Sequence, residues 1–344
     1  MNQNTTGRVK RVEWIDVARG ICILCVVLSH TLEVPSLYRS IFSPFFLTTF
    51  FFLSGVVYKS STIKSSCLAS VAKILWPYVI NAVVIIFLRL KWVELAIAGD
   101  VVGVWSYFQT ALIRLVSGKI FWFLACLFIV QILATVITHV VKSKIALAVI
   151  SGLCLLSIFI INGQDIYPWS ANTAIFALGY FLLGVVLKER LLSFELQSSK
   201  RYIGWICMGV YVALILVLNA FAPQATQFDI HIHKLAPEWR YLLLSLVGIT
   251  AVCLFSMSIY HCKPLQLFGA NSLVIYMYHG YGGLITNTIF GYVGVKGILT
   301  SPYIYTIVFC CVSASITLLF ALFINKYCPI LVGRSKFISK CISK

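Results

Sequence analysis

About ten stretches of this chain are apolar over the length that crosses a bilayer, and that constrains the fold before any motif is considered. Hydrocarbon offers no water to backbone N–H and C=O groups, so a spanning segment must satisfy them internally, as a helix or a closed barrel does. Unbroken apolar runs, without the alternation of a barrel strand, specify helices. They are expected near residues 15–33, 41–58, 74–90, 120–141, 145–162, 171–188, 202–222, 240–260, 272–290 and 303–325. With 60% hydrophobic and 11% charged residues, and a mean hydropathy of +0.97, the 344-residue chain falls outside the range of soluble domains. The expectation is an all-α, polytopic membrane helical bundle of about ten transmembrane helices. It forms a single domain over 1–344, and residues 1–13 and 326–344 are basic cytoplasmic tails.

A formal charge of +17 would suggest nucleic acid in a soluble protein, but in a membrane protein topology is the first explanation. Placing both termini in the cytoplasm puts most of the 27 Lys and Arg on that side. The exceptions are Arg39, Arg89, Lys91, Arg114, Lys119, Lys234, Arg240 and Lys296. The charge thus needs no nucleic-acid partner. The partners expected are the lipid bilayer and, for the inner basic face, a polyphosphorylated donor. There is no Gly-rich phosphate loop, no internal repeat and no cleavable signal.

The first expected span carries ionisable groups at both ends, Asp16 and Arg19 at one and His30 and Glu33 at the other. At about 100° and about 1.5 Å per residue, Arg19 and His30 fall within about 20° of one stripe and about 16 Å apart. Asp16, one turn from Arg19, can pair with it, and Glu33, one turn beyond His30, can orient the imidazole. Ionisable groups in a span are costly and line an interior or a pathway. A cation at one depth and a titratable base at another read either as the two ends of a reaction path or as an interfacial Arg that snorkels and a His near the opposite headgroups.

The ninth expected span repeats the theme. Ser272, Tyr276 and His279 stand at i, i+4 and i+7, which lines a hydroxyl, a phenol and an imidazole along one face. In the second span Ser54-Gly55 permits close helix contact. Lys73 precedes Trp76-Pro77 at the inner interface, where it can snorkel or reach a phosphate or thioester near Arg19. Trp122 opens the fourth span as a belt aromatic, and Trp105, Tyr107, Tyr167, Trp169 and Trp239 fall on the outer side, as anchors or as platforms for sugar rings. The twelve cysteines, Cys22 and Cys25 among them, read as small apolar fillers. Asp229, His231 and His233 alternate in the loop 222–239 and, if extended, would share one side. An H-x-H in a loop is a weak metal signal, and no metal is expected.

These pieces together resemble the acyltransferase 3 family, and within it the fucose 4-O-acetylase-like membrane O-acetyltransferases. The likeness rests on Arg19 and His30 with Asp16 before them, Phe51-Phe52-Leu53-Ser54-Gly55, Lys73 to Pro77, Trp122-Phe123-Leu124 and Ser272 to His279, in order over nearly the whole chain. The resemblance implies a multi-pass enzyme of the cell (inner) membrane that transfers acetyl from cytosolic acetyl-CoA, as co-substrate, to a hydroxyl of a surface or lipid-linked carbohydrate. By motif, the family's essential Arg and His become Arg19 and His30. There are two departures: a basic pair before the proline reads Ser70 and Lys73, and a His-Met-Pro-Leu segment reads Phe46-Leu47-Thr48-Thr49.

The residues fit that chemistry. His30 serves as the base for the hydroxyl and Glu33 holds its tautomer. Arg19 and Lys73 meet the donor. Asp16, Trp122, Ser272, Tyr276 and His279 are expected around the substrate. The rival reading, a transporter or flippase of a lipid-linked glycan, shares the span count and buried charges but calls for paired halves with broken helices.

Overall fold

The computed structural model describes residues 12–31, 34–194, 196–221, 228–259 and 261–334. Helices follow one another with short connections, and among the described residues the one β-bridge joins Asp229 and Lys234. The chain opens with α1 (Glu13–Ser29), α2 (Ser36–Phe42) and α3 (Phe46–Val56). Then α4 (Ile63–Ser70) passes through a π-helical turn (Val71–Leu75) into α5 (Trp76–Leu88), followed by α6 (Lys91–Ile97) and α7 (Val101–Val116). The middle of the chain holds α8 (Trp122–Val140), α9 (Lys144–Leu156), α10 (Ile158–Ile161) and α11 (Ala171–Ser193). After α12 (Tyr202–Phe221) and α13 (Glu238–Ile259) come α14 (Lys263–Ala270), α15 (Ser272–Val293), α16 (Val295–Ile298) and α17 (Pro302–Tyr327).

Among the described residues, eight helical segments are long and apolar enough to cross a membrane. Together with α1 and α15, they account for each of the expected spans. Those two are the exceptions for a reason. α1 has only 17 residues, and α15 interrupts its apolar face with Ser272, Tyr276, His279 and Asn287. The helices least suited to lipid carry the candidate site.

α1 sits at the centre, packed against α3, α13, α14, α15 and α17, and its buried side chains, from Trp14 to Val27, face all round the helix. Without a hydrophobic drive between helices in lipid, such packing depends on close backbone approach through small residues. Two reciprocal glycine contacts supply it. A Cβ on Gly20 would lie 2.1 Å from Leu265 O, and one on Gly269 1.9 Å from Asp16 O, which locks α14 against the first half of α1. Gly55 and Gly184 do the same for α3 and α11, where a Cβ would meet Phe181 O at 1.9 Å and Phe52 O at 2.2 Å.

Three local expectations change. The second span, placed at 41–58, is two helices broken at Ser43–Phe45, because Pro44 has no N–H to continue the first. The third span does not begin near 74: the helix runs on from Ile63, and the π-helical turn before Pro77 absorbs the missing donor in mid-helix. The stretch between the third and fourth expected spans folds as α6 and α7. Asp100 caps α7 through Gly103 N at 2.8 Å, and Tyr107 Oη donates to Ile86 O at 2.6 Å, so this aromatic is tied to α5.

Candidate active site

Because α1 and α15 both begin at one end of the bundle and finish at the other, each contributes to two separate cavities. The first, about 1000 Å³, receives Asp16 and Arg19 from α1 and Ser272 from α15. Lys59, Lys188 and Arg334 join them, giving four cations and one carboxylate in the wall. Asp16 is 6% exposed and Arg19 half-buried. Lys188 donates to Tyr58 O, and Arg334 Nη1 donates to Asn325 Oδ1 at 3.3 Å. A wall of this kind suits a ligand with several phosphates.

The second cavity, about 830 Å³, lies toward the other end of the same helices and is lined by His30, Trp122, Tyr276 and His279. His30 caps the C-terminus of α1 and its ring is open to the cavity. Its Nδ1 lies 2.9 Å from Val26 O and 3.0 Å from Ser29 Oγ, while Ser29 Oγ donates to Val26 O at 2.7 Å. A carbonyl only accepts, so Nδ1 carries a proton, and in the neutral ring Nε2 is the nitrogen with the free lone pair. His279 is tethered the same way, with Nδ1 2.8 Å from Tyr276 O. The two imidazoles meet edge to face with centroids 4.5 Å apart. A smaller chamber of about 240 Å³ adjoins both rings, walled by Val27, Gly283, Leu284 and Phe309.

Around this pair the aromatic residues are held in place. Tyr276 Oη accepts the backbone N–H of Phe123 at 3.2 Å, which clamps the start of α8 to α15. Trp122 stacks on His231 at 4.5 Å and 19°. Asp229, His231 and His233 do not share one side: the segment is a turn closed by the Asp229 and Lys234 backbone pair, 2.9 Å each way. His233, at φ 51° and buried, bonds Thr173 Oγ1 at 2.7 Å and Gln164 O at 2.9 Å, so both its nitrogens are engaged in structural bonds. His231 faces the cavity instead, and burial pulls its pKa below the usual 6.5.

The sequence-predicted residues therefore divide between two places. Asp16, Arg19 and Ser272 meet in one cavity, and His30, Trp122, Tyr276 and His279 in the other. Lys73 stands exposed on the π-helical turn and lines neither. Glu33 lies outside the described residues, and the partner seen at His30 Nδ1 is the Val26 carbonyl. Sequence reasoning did not bring Lys59, Lys188 and Arg334 to the Arg19 cavity, and although it named Arg39, Arg89 and His231 it did not bring them to the His30 cavity. The charge alternation assigns the two sets to opposite faces, but their convergence depends on contacts between distant segments.

A family model for an acyltransferase domain, acyltransferase 3, matches residues 12–325. No curated protein and no solved structure matches the chain.

Proposed function

The chain belongs to the acyltransferase 3 family, and from that premise we propose that it is an O-acetyltransferase moving acetyl from cytosolic acetyl-CoA to a carbohydrate hydroxyl. The acceptor would be a surface polysaccharide or a lipid-linked glycan, and the enzyme's place the cell (inner) membrane. The resemblance to fucose 4-O-acetylase-like enzymes supports the sugar. The polycationic wall around Arg19 supports a donor bound by its phosphates.

The observation that carries the reading is His30: a cavity-facing imidazole whose Nδ1 is committed to Val26 O. Its Nε2 takes the acceptor's proton as the hydroxyl oxygen bonds to the thioester carbonyl carbon. Collapse of the tetrahedral intermediate breaks the C–S bond, and the departing thiolate recovers that proton from the imidazolium. Arg19 stands about 16 Å away along α1, so the thioester travels along the seam of α1 and α15. It does so on its pantetheine arm, and at His30 the acetyl group passes either directly to the acceptor or first to an imidazole, which releases CoA and relays the acetyl as an acyl-imidazole. A burst of CoA release without acceptor would mark the relay, and strict acceptor dependence the direct path.

His30→Ala tests the role. The variant should insert and accumulate normally, since its ring contacts are few and open to the cavity, while transfer falls by about 10²–10⁴-fold. Mass spectrometry of the acceptor glycan reads the result. Full acetylation by the variant would remove His30 as the base.

A further inference from the structure

The His30 cavity carries more positive charge than transfer to a neutral sugar requires. Besides its imidazoles it holds Arg39, Arg89 and Lys234 against one carboxylate, Asp229. Asp229 is occupied with its own turn, its Oδ1 accepting the backbone N–H of His231 at 2.8 Å. Neither Arg39 nor Arg89 is in an ion pair among the described residues.

Four polar atoms in the same wall are buried without a hydrogen-bond partner: Arg39 Nε, Ser43 Oγ, His231 Nδ1 and Tyr281 Oη. Buried polar atoms in folded proteins are nearly all satisfied, so four together mark where a ligand's polar atoms belong. The set is biased toward anions. Arg39 Nε can only donate, and the hydroxyls of Ser43 and Tyr281 can donate from the same wall. Tyr281 also lies within the electrostatic reach of Arg89. The Pro44 break between α2 and α3 is what leaves Ser43 at the helix end and in the wall.

We propose that the acceptor bound here is anionic, setting a carboxylate or phosphate oxygen against Arg39, Ser43 and Tyr281 while its hydroxyl meets His30. The placement of the hydroxyl rests on the acyl-transfer reading; the anion site does not. An acidic sugar, or the phosphate that joins a sugar to a lipid carrier, would supply the same charge.

Binding to the full-length protein in nanodiscs tests this with three probes. They are a glucuronate-containing disaccharide, its carboxyl-reduced counterpart, and a neutral sugar linked through phosphate to a short isoprenoid. At least one anionic probe should bind about tenfold or more tighter than the reduced disaccharide. Arg39→Gln should collapse that preference, and Arg39→Lys, which keeps the charge, should retain part of it. An advantage for the glucuronate alone places the anion on the sugar, and for the phosphate alone on the carrier link; both support the proposal. Equal binding of all three, or a preference unchanged in folded Arg39→Gln, overturns it. Acetyl-CoA consumption measured in parallel separates the two claims. Acetylation without anion preference sinks this inference alone, and anion-selective binding without acyl transfer to any probe sinks the enzymatic reading alone.

Discussion

The Nδ1–H of His30 donates to a carbonyl of its own helix, Val26 O at 2.9 Å, so the orientation of the ring does not depend on what enters the cavity. At the other end of the stripe Arg19 shares its cavity with Lys59, Lys188 and Arg334, and a planar guanidinium offers paired donors that an ammonium cannot. Arg19→Lys should lower transfer by about tenfold or more, mostly through donor KM, although the charge is kept. Steady-state kinetics with varied acetyl-CoA checks this, and an unchanged KM would reduce Arg19 to a topology determinant. His231 gives a pH prediction. Its folded pKa lies below the usual 6.5 through burial, so as pH falls the unfolded chain takes up the proton first. The stability that neutral His231 contributes is present above about 6.5 and is lost as pH falls through the folded value. Between pH 7 and 5.5 the thermal midpoint should fall more steeply for the wild type than for His231→Phe, which keeps a ring against Trp122. Parallel slopes would contradict the assignment. At this scale Arg19 and His30 were legible because helical spacing alone relates them. His231 was not, since only the turn between Asp229 and Lys234 sends it to the cavity and His233 away from it.

Close packing decides how the elements hold these side chains at fixed depth. α14 approaches α1 through Gly20 and Gly269, with no room for a methyl group at either. Gly20→Ala should therefore cost about 1–3 kcal/mol of stability, because backbone cannot yield as a flexible side chain does. It should also lower transfer by shifting Arg19 on the same helix. Gly152→Ala, with nothing within 4 Å of its added Cβ, is the control. Thermal unfolding of the two variants in detergent should separate them, and equal midpoints would count against the close α1 and α14 contact. Eight of the expected spans were readable from apolar length, and α1 and α15 as helices at the expected positions. α7 was missed because its 16 residues fall short of a span and its anchors are contacts with other segments: Tyr107 Oη on Ile86 O, Tyr78 Oη on Leu115 O and Trp169 Nε1 on Val116 O. The break at Pro44 and the π-helical turn before Pro77 shifted boundaries for a different reason: proline removes a donor, but the neighbouring helices decide whether the chain bends or continues.

Across the molecule, the cations the sequence assigned to opposite membrane faces gather in opposite cavities. Arg19, Lys59, Lys188 and Arg334 share one, and Arg39, Arg89 and Lys234 the other. α1 and α15 join them, so donor and acceptor are expected to approach from opposite sides and meet beside His30. A transporter would use the same two openings to move glycan without consuming a thioester. Inverted vesicles containing the folded protein and an enclosed acceptor glycan distinguish these directly. Supplied outside with acetyl-CoA labelled in its acetyl group, they should accumulate label on the enclosed glycan and release CoA outside. Vesicles carrying His30→Ala should do neither. Label found only on glycan outside the vesicles, or glycan crossing the membrane with no CoA released, would contradict this account.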